Sequence, residues 1–501
     1  MRIGSKAASG ALAMLLLIAL NQSTNFATAA GSSSSNGNTY AEFIVAFEPK
    51  VSRATSNKII ADAGGEIIRK FARVLNGSVV NGTFAKMLAL AKNPNVLFVE
   101  ENLEVSATAI QNSGPWGASA PWGLDRIDQQ ALPLSSTYDD GDFQGANSNS
   151  YVVDSGIDPS NTDFEGRVAT GYDAVQDGLT TGDCNGHGTH VAGTIGSRTF
   201  GVAKQTNLIP VRVLGCDGSG YYSWVIAGLN WIAGNYSSGD VAVVNMSLGG
   251  PTSSALDEAV SNLISRGISV VIAAGNDNLD ACDYSPARTS EAITVGATNS
   301  DDSRASYSNY GTCLDIFAPG TAIESTWLGT SYYAILNGTS MAAPHVAGII
   351  VRFLSQYPGL TPTQVANSIK TSSTKNLVTS AGTGSPNRLA YLTVLPDTTN
   401  VSLSVAGSAR TVSSRELITI SAVSNVAGKI TFKANGKPIP GCKGVRTVAL
   451  TATCQWKSSV KGTNQLSAKI IPTVIAENEA ATSTNYSITV SPRTGPRYPT
   501  S

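Results

Sequence analysis

The sequence predicts an α/β core, a parallel sheet with helices on both faces, with a small α+β unit before it and an all-β unit after it. Three observations carry this. Residues 115–395 alternate apolar runs with amphipathic helical stretches, the pattern of strands covered on both sides. Residues 40–99 run strand, helix, strand, strand, helix, strand. After Pro396 the helical period stops and short segments alternate apolar with polar residues. At 501 residues the chain is also too long for one ordinary domain.

Arg2 and Lys6 precede an apolar run over 11–20, and Ala27-Thr-Ala29 follows as a small-residue cleavage site. Residues 1–29 therefore read as an export signal. The run is too short to span a bilayer, and no later stretch reaches eighteen apolar residues. Residues 30–39 are a Ser/Asn/Gly linker. Strands are expected over 40–47 and 66–73, around a helix over 52–63 that ends at Gly64-Gly65. Asn76-Gly77 and Asn81-Gly82 mark turns, and a helix over 84–91 and a strand over 96–99 complete a ferredoxin-like order.

In the core, strands are expected over 150–154, 208–214, 241–247, 268–275 and 292–297. Helices are expected over 187–197, 222–235, 254–266, 340–356 and 362–370. The last has Thr361 as cap, Pro362 at the first helical position and Gln364 placed for a capping box. Beyond Pro396, short alternating segments and the Asn435-Gly436 hairpin signal predict an immunoglobulin-like β-sandwich over 396–492, with a disordered tail over 493–501.

Lys plus Arg, 34, nearly balances Asp plus Glu, 35, so neither a nucleic acid nor an anionic membrane is implied as partner. Cys184, Cys216, Cys282, Cys313, Cys442 and Cys454 form an even set in a chain with an export signal, which favours disulfides. The sequence alone leaves their pairing open.

The chemistry concentrates in short segments. Tyr151-Val-Val-Asp-Ser-Gly-Ile157 ends an apolar strand on Asp154. Asn185-Gly-His-Gly-Thr-His-Val191 opens a small-residue helix with His187, and Asn337-Gly-Thr-Ser-Met-Ala-Ala-Pro-His345 leads a Gly-Thr turn into a helix at Ser340. A serine hydroxyl needs a nearby base to become a nucleophile. Imidazole supplies one near neutrality, and a carboxylate on its second nitrogen fixes the tautomer and steadies the imidazolium. Residues 268–276 end in Gly-Asn, so the Asn276 amide is a candidate oxyanion donor beside the backbone N–H of Ser340. The ends of parallel strands and the starts of helices meet on one rim of such a sheet. His190 and His345 read as packing groups, and Asp158, Asp163 and Asp183 as loop acids. A zinc pair of His187 and His190 lacks the spacing and the glutamate of a His-Glu-x-x-His helix.

These segments resemble the subtilisin-like serine proteases, closest to the proteinase K and aqualysin branch, over roughly residues 40–395. The resemblance implies a secreted, monomeric endopeptidase acting on proteins and peptides through Asp154, His187, Ser340 and Asn276. It implies a propeptide over 30–110 that inhibits the catalytic unit of 111–395 and is cut off between about 108 and 114. It implies the pairs Cys184–Cys216 and Cys282–Cys313, leaving Cys442 for Cys454. Substrate strands would lie along Gly218, Gly220, Ser247, Leu248 and Gly249. Tyr222 would cover an apolar subsite. Ala273, Ala274 and Gly275 would line a roomy apolar pocket, without fixed charge, that prefers aliphatic or aromatic side chains. Structural calcium is implied at Asp315 with the carbonyls of Ser290 and Ala292, and at Asp125, Asp128 and Gln129, where Asp139, Asp140 or Asp142 would add oxygen ligands. A surface-binding protein built on a decayed protease scaffold is the competing reading. Labelling by a serine-directed phosphonylating reagent separates the two.

Overall fold

The computed structural model describes residues 26–27, 40–107, 110–112, 121–139 and 143–392. Further on it describes 401–405, 411–413, 417–424, 428–447, 451–457, 460–472, 483 and 486–491. The expected export signal up to residue 25, the linker, the tail, and Thr108, Asp140 and Asp142 lie outside these residues.

A short strand β1 (Phe26–Ala27) precedes β2 (Tyr40–Phe47), α1 (Arg53–Asp62), β3 (Glu66–Lys70), β4 (Gly77–Thr83), α2 (Phe84–Leu90) and β5 (Val96–Glu101), which form one sheet in the order β1-β5-β2-β4-β3. The two-residue period of β2 divides its side chains between two cores. Phe43 and Val45 pack with Ile60 of α1 and Met87 of α2, whereas Ile44 and Ala46 join the large apolar cluster of the main domain. Two further strands follow, β6 (Glu104–Ala107) and β7 (Ile110–Asn112).

The main domain runs α3 (Trp122–Ile127), β8 (Asn149–Asp154), β9 (Tyr172–Asp173), α4 (His187–Gly196), β10 (Asn207–Arg212), β11 (Ser219–Tyr221), α5 (Tyr222–Asn235), β12 (Ala242–Met246) and β13 (Leu248–Gly249). It continues through α6 (Ser254–Ile264), β14 (Ser269–Ala273), β15 (Ile293–Thr298), β16 (Ile316–Pro319), β17 (Ile323–Thr326), β18 (Tyr333–Asn337), α7 (Thr339–Gln356), α8 (Pro362–Ser372), β19 (Thr374–Lys375) and β20 (Arg388–Leu389). Nine strands form one sheet in the order β19-β20-β16-β15-β14-β12-β8-β10-β9. Its pairings are parallel except at the β19 edge. The strands of its centre are buried along their whole length but for Asn149 at the start of β8, as a sheet covered on both faces requires. One face packs under α5 and α6, the other under α4 and α7. The Thr361 side chain and Gln364 close the expected capping box on α8.

The remaining strands are β21 (Val401–Val405), β22 (Thr411–Ser413), β23 (Leu417–Ser424), β24 (Gly428–Ala434), β25 (Lys437–Pro438), β26 (Val445–Arg446), β27 (Thr451–Lys457), β28 (Gly462–Pro472) and β29 (Tyr486–Ser491). They form a three-stranded and a six-stranded sheet sharing one apolar cluster, which includes the Cys442–Cys454 disulfide. Cys184–Cys216 and Cys282–Cys313 are the other bridges.

Candidate active site

Asp154 is the last residue of β8 and fully buried. Its Oδ1 accepts from the Ser155 N–H and from His187 Nδ1, both at 2.7 Å. His187 begins α4, after Gly186 at φ +102°. A Cβ at Gly186 would also stand 2.5 Å from the Trp327 ring, so both backbone and space demand glycine there. Burial lowers the His187 imidazole, but the Asp154 carboxylate and, less strongly, that of Asp183 more than offset it and leave it above the ordinary 6.5.

Asp183, expected to be a loop acid, organises this corner. Its Oδ1 accepts from the Asn185 and Gly186 N–H groups at 2.9 Å and from the Ser155 hydroxyl at 2.9 Å. Its Oδ2 accepts from the Thr189 N–H and hydroxyl. Ser155 Oγ in turn accepts from the Gly188 N–H. Sequence offered one faint signal of this, a carboxylate just ahead of a helix N-terminus.

Ser340 lies in the first turn of α7 and is fully buried. Its hydroxyl donates to the Ser247 carbonyl at 3.0 Å, while the Ser247 hydroxyl donates to the Ser340 carbonyl at 2.9 Å. His187 Nε2 has no hydrogen-bond partner among the described residues, so the serine–histidine bond that proton transfer needs is not made in this rotamer. Such bonds commonly tighten only with substrate bound. Asn276 Oδ1 accepts from the Thr339 N–H at 2.9 Å and hydroxyl at 3.0 Å. A backbone N–H only donates, so the oxygen of the Asn276 amide faces Thr339 and its NH2 group is directed away from it.

The other histidines are neutral packing groups. Burial pushes His190, which donates from Nε2 to the Ile323 carbonyl, down to about 3. Burial likewise lowers His345, bonded to the Met341 carbonyl, to about 4.

The predicted substrate edges carry a strand of the chain itself. β6 pairs antiparallel with β11 on one side and β13 on the other, matching Ser106 to Ser219 and Gly249, and Val105 to Gly220. The Ala107 N–H donates to the Gly218 carbonyl at 3.0 Å. Val105 is buried in the same cluster as Tyr222 and Leu248, and the Tyr222 hydroxyl donates to the Pro251 carbonyl. Past residues 108 and 109 the chain resumes as β7, antiparallel to β18, with Ile110 opposite Asn337. A cavity of about 540 Å³ is lined by Ala273, Ala274, Gly275 and Asn276, and also by Asp277 and Asp283. Beside the small walls that were expected to carry no fixed charge, the cavity thus bears two carboxylates, those of Asp277 and Asp283.

The calcium expectations meet occupied carboxylates. At Asp315, Lys370 Nζ donates to Oδ1 at 2.9 Å and the Thr294 N–H to Oδ2 at 3.0 Å. An ammonium engages the charge a divalent ion would need, so this donor set does not fit calcium, whatever the Ser290 and Ala292 carbonyls offer. Asp125 accepts from the Ser135 N–H and hydroxyl and the Ser136 N–H. Asp128 accepts from the Asp139 N–H, and Gln129 Oε1 from the Ser135 N–H. These oxygens thus serve the amides of the loop 135–139. Among the described residues no three acidic, His or Cys side chains group to hold a metal.

Residues 151–391 match the Subtilase family. The chain is 49% identical over 345 residues, 69% of this chain and 82% of the relative, to a protein named extracellular serine proteinase from Thermus sp. (strain Rt41A). It belongs to the subtilase family. A protein named proteinase R from Parengyodontium album is 39% identical over 70% of this chain and 88% of its own. A solved cold adapted subtilisin-like serine proteinase superimposes with TM-score 0.53 and 48% identity, covering 55% of this chain and all of that one. This subtilase is thus a serine endopeptidase with the subtilisin-like α/β fold. No described helix is long and apolar enough to cross a membrane.

Proposed function

We propose that the chain is an exported precursor whose residues 30–110 inhibit the peptidase of 111–395 and are removed by its own Ser340. The path of one strand carries the proposal. β6 fills the gap between β11 and β13 as far as Ala107, and β7 runs beside β18 from Ile110, just ahead of Ser340 in the chain. The bond cut would therefore lie between Ala107 and Ile110, at the N-terminal edge of the expected window of about 108–114 and one to three residues before the expected 110/111 border.

A substrate would take the same path. Ser340 Oγ turns from the Ser247 carbonyl to His187 Nε2, which takes its proton as Oγ bonds the scissile carbonyl carbon. Asp154, held on Nδ1, stabilises the imidazolium. The oxyanion receives the Asn276 NH2 group and the Ser340 backbone N–H. Collapse breaks the C–N bond, His187 passes the proton to the leaving amine, and an acyl-enzyme remains. Water, giving its proton to His187, releases the acyl group and restores Ser340. The small walls at Ala273, Ala274 and Gly275 support broad specificity with aliphatic or aromatic side chains before the cut. Three disulfides support an extracellular site of action. The unit 396–492 is taken as a separate immunoglobulin-like sandwich, and the enzyme as a monomer.

The test is the intact mass of the exported product, wild type beside Ser340→Ala. The wild type should lose about the first hundred residues and the variant should keep those after the signal. Loss in both would assign processing to another protease, and loss in neither would remove the propeptide reading.

A further inference from the structure

We propose that the pocket beside Asn276 also accepts lysine and arginine side chains, with Asp277 and Asp283 as the residues that select them. This rests on the peptidase reading of the cavity just given.

Three observations converge. The walls at Ala273, Ala274, Gly275 and Ala287 are small and apolar, and the cavity, about 540 Å³, has room for a long side chain. Asp277 and Asp283 line the same cavity and are exposed to solvent. Among the described residues neither carboxylate has a basic partner. Tyr284, also on the lining, reports their closeness: after burial, Asp277 and then Asp283 hold its hydroxyl above the usual 10.

The loop is fixed before any substrate arrives. Asn309 Oδ1 accepts from the Asp277 and Leu279 N–H groups at 3.0 Å. The Asp283 N–H donates to the Asp280 carbonyl at 3.1 Å, and Cys282 is bridged to Cys313. Lysine and arginine are amphipathic, an apolar stem carrying a hydrated charge. Their stems suit the alanine walls, and the charged end meets the carboxylates without leaving water, so little desolvation opposes binding. Aliphatic and aromatic side chains use the same walls. The acids therefore widen the specificity rather than replace it.

The experiment measures kcat/KM for matched peptide amides that differ only in the residue before the cut, Lys, Arg or Phe. It compares wild type with the Asp277→Asn/Asp283→Asn double variant at low salt and at about 1 M salt. Exposed ion pairs are modest, so the double variant should lower the Lys-to-Phe and Arg-to-Phe ratios about 3- to 10-fold. High salt should lower both ratios in the wild type and leave them unchanged in the variant. Ratios unaltered by the double substitution would overturn the proposal while leaving the peptidase reading intact. Failure of the wild type to cut any of the peptides would instead overturn that reading, and the selection with it.

Discussion

Asp183 reads as an ordinary loop acid, marked along the chain only by its place just ahead of a helix N-terminus. Yet its oxygens gather Asn185, Gly186, Thr189 and Ser155, and so fix the start of the helix that carries His187. Its charge also helps to raise the His187 imidazole above 6.5. Only neutral imidazole can take the serine proton. Activity should therefore be present above that raised pKa and be lost as pH falls through it, placing the acid limb above the ordinary imidazole range. Asp183→Asn removes the negative charge and should move the limb to lower pH, with kcat reduced about tenfold and KM little changed. Profiles of kcat and kcat/KM from pH 5 to 9 on one peptide check this. A reduced kcat with the limb unmoved would assign Asp183 to folding alone. The places of Asp154 at a strand end, His187 and Ser340 at helix starts and Asn276 just after a strand were legible, because sequence marks such junctions. The hydrogen bonds of Asp183 and the position of Asp277 and Asp283 on a cavity wall were not, because they arise from loops meeting other segments, both loops carrying a disulfide.

The capping box that starts α8 also sets the direction of the helix, and Lys370 in its last turn reaches Asp315 beside β15 and β16. Both side chains are mostly buried, so Lys370→Ala should cost about 1 kcal/mol and lower the melting temperature by about 2–4 °C. It would also leave the Asp315 carboxylate without its ammonium. Millimolar calcium should then raise the melting temperature of the variant more than that of the wild type, by thermal scans with calcium and with chelator. An equal response in both would show that the lysine does not stand in for the ion. Long elements were readable from periodicity: the helix expected over 222–235 is Tyr222–Asn235. Short ones were not. β16 has four residues and ends in Pro319, and β11 and β13 have three and two, too few for any period to show. β11 and β13 depend on a partner strand, β6, more than a hundred residues earlier.

At the scale of the whole molecule, Glu100 joins the first unit to the second. Its Oε1 accepts from the Ser253 hydroxyl and the Ala255 N–H, and its Oε2 from the Ser254 N–H, at the start of α6. Burial raises its pKa above 4.5, against those hydrogen bonds. The docked state thus holds the proton more tightly than the released one. Docking stability is fully present below about 4.5 and is lost as pH rises through the raised value. The cut segment should leave faster at pH 8 than at pH 5, and Glu100→Gln should flatten that dependence. The delay before activity appears, with aliquots assayed at one fixed pH, measures this. Equal delays at both pH values would show that Glu100 does not govern release. Changes of composition and period along the sequence fall where one sheet gives way to the next. Their docking was not, because alternate residues of β2 serve two cores at once.

β6 also bears on which proteins this enzyme can attack. Among the described residues β11 and β13 are joined through it alone, so on the proposed substrate path the sheet, once β6 leaves, lacks its middle member until an extended chain supplies one. A globular protein keeps its backbone donors and acceptors occupied and cannot offer about four consecutive residues without opening first. The earliest filter on victims is then local unravelling, not side-chain identity. Loose tips and frayed ends of a victim should go first, and a tightly knit protein should survive for as long as its own opening events are rare.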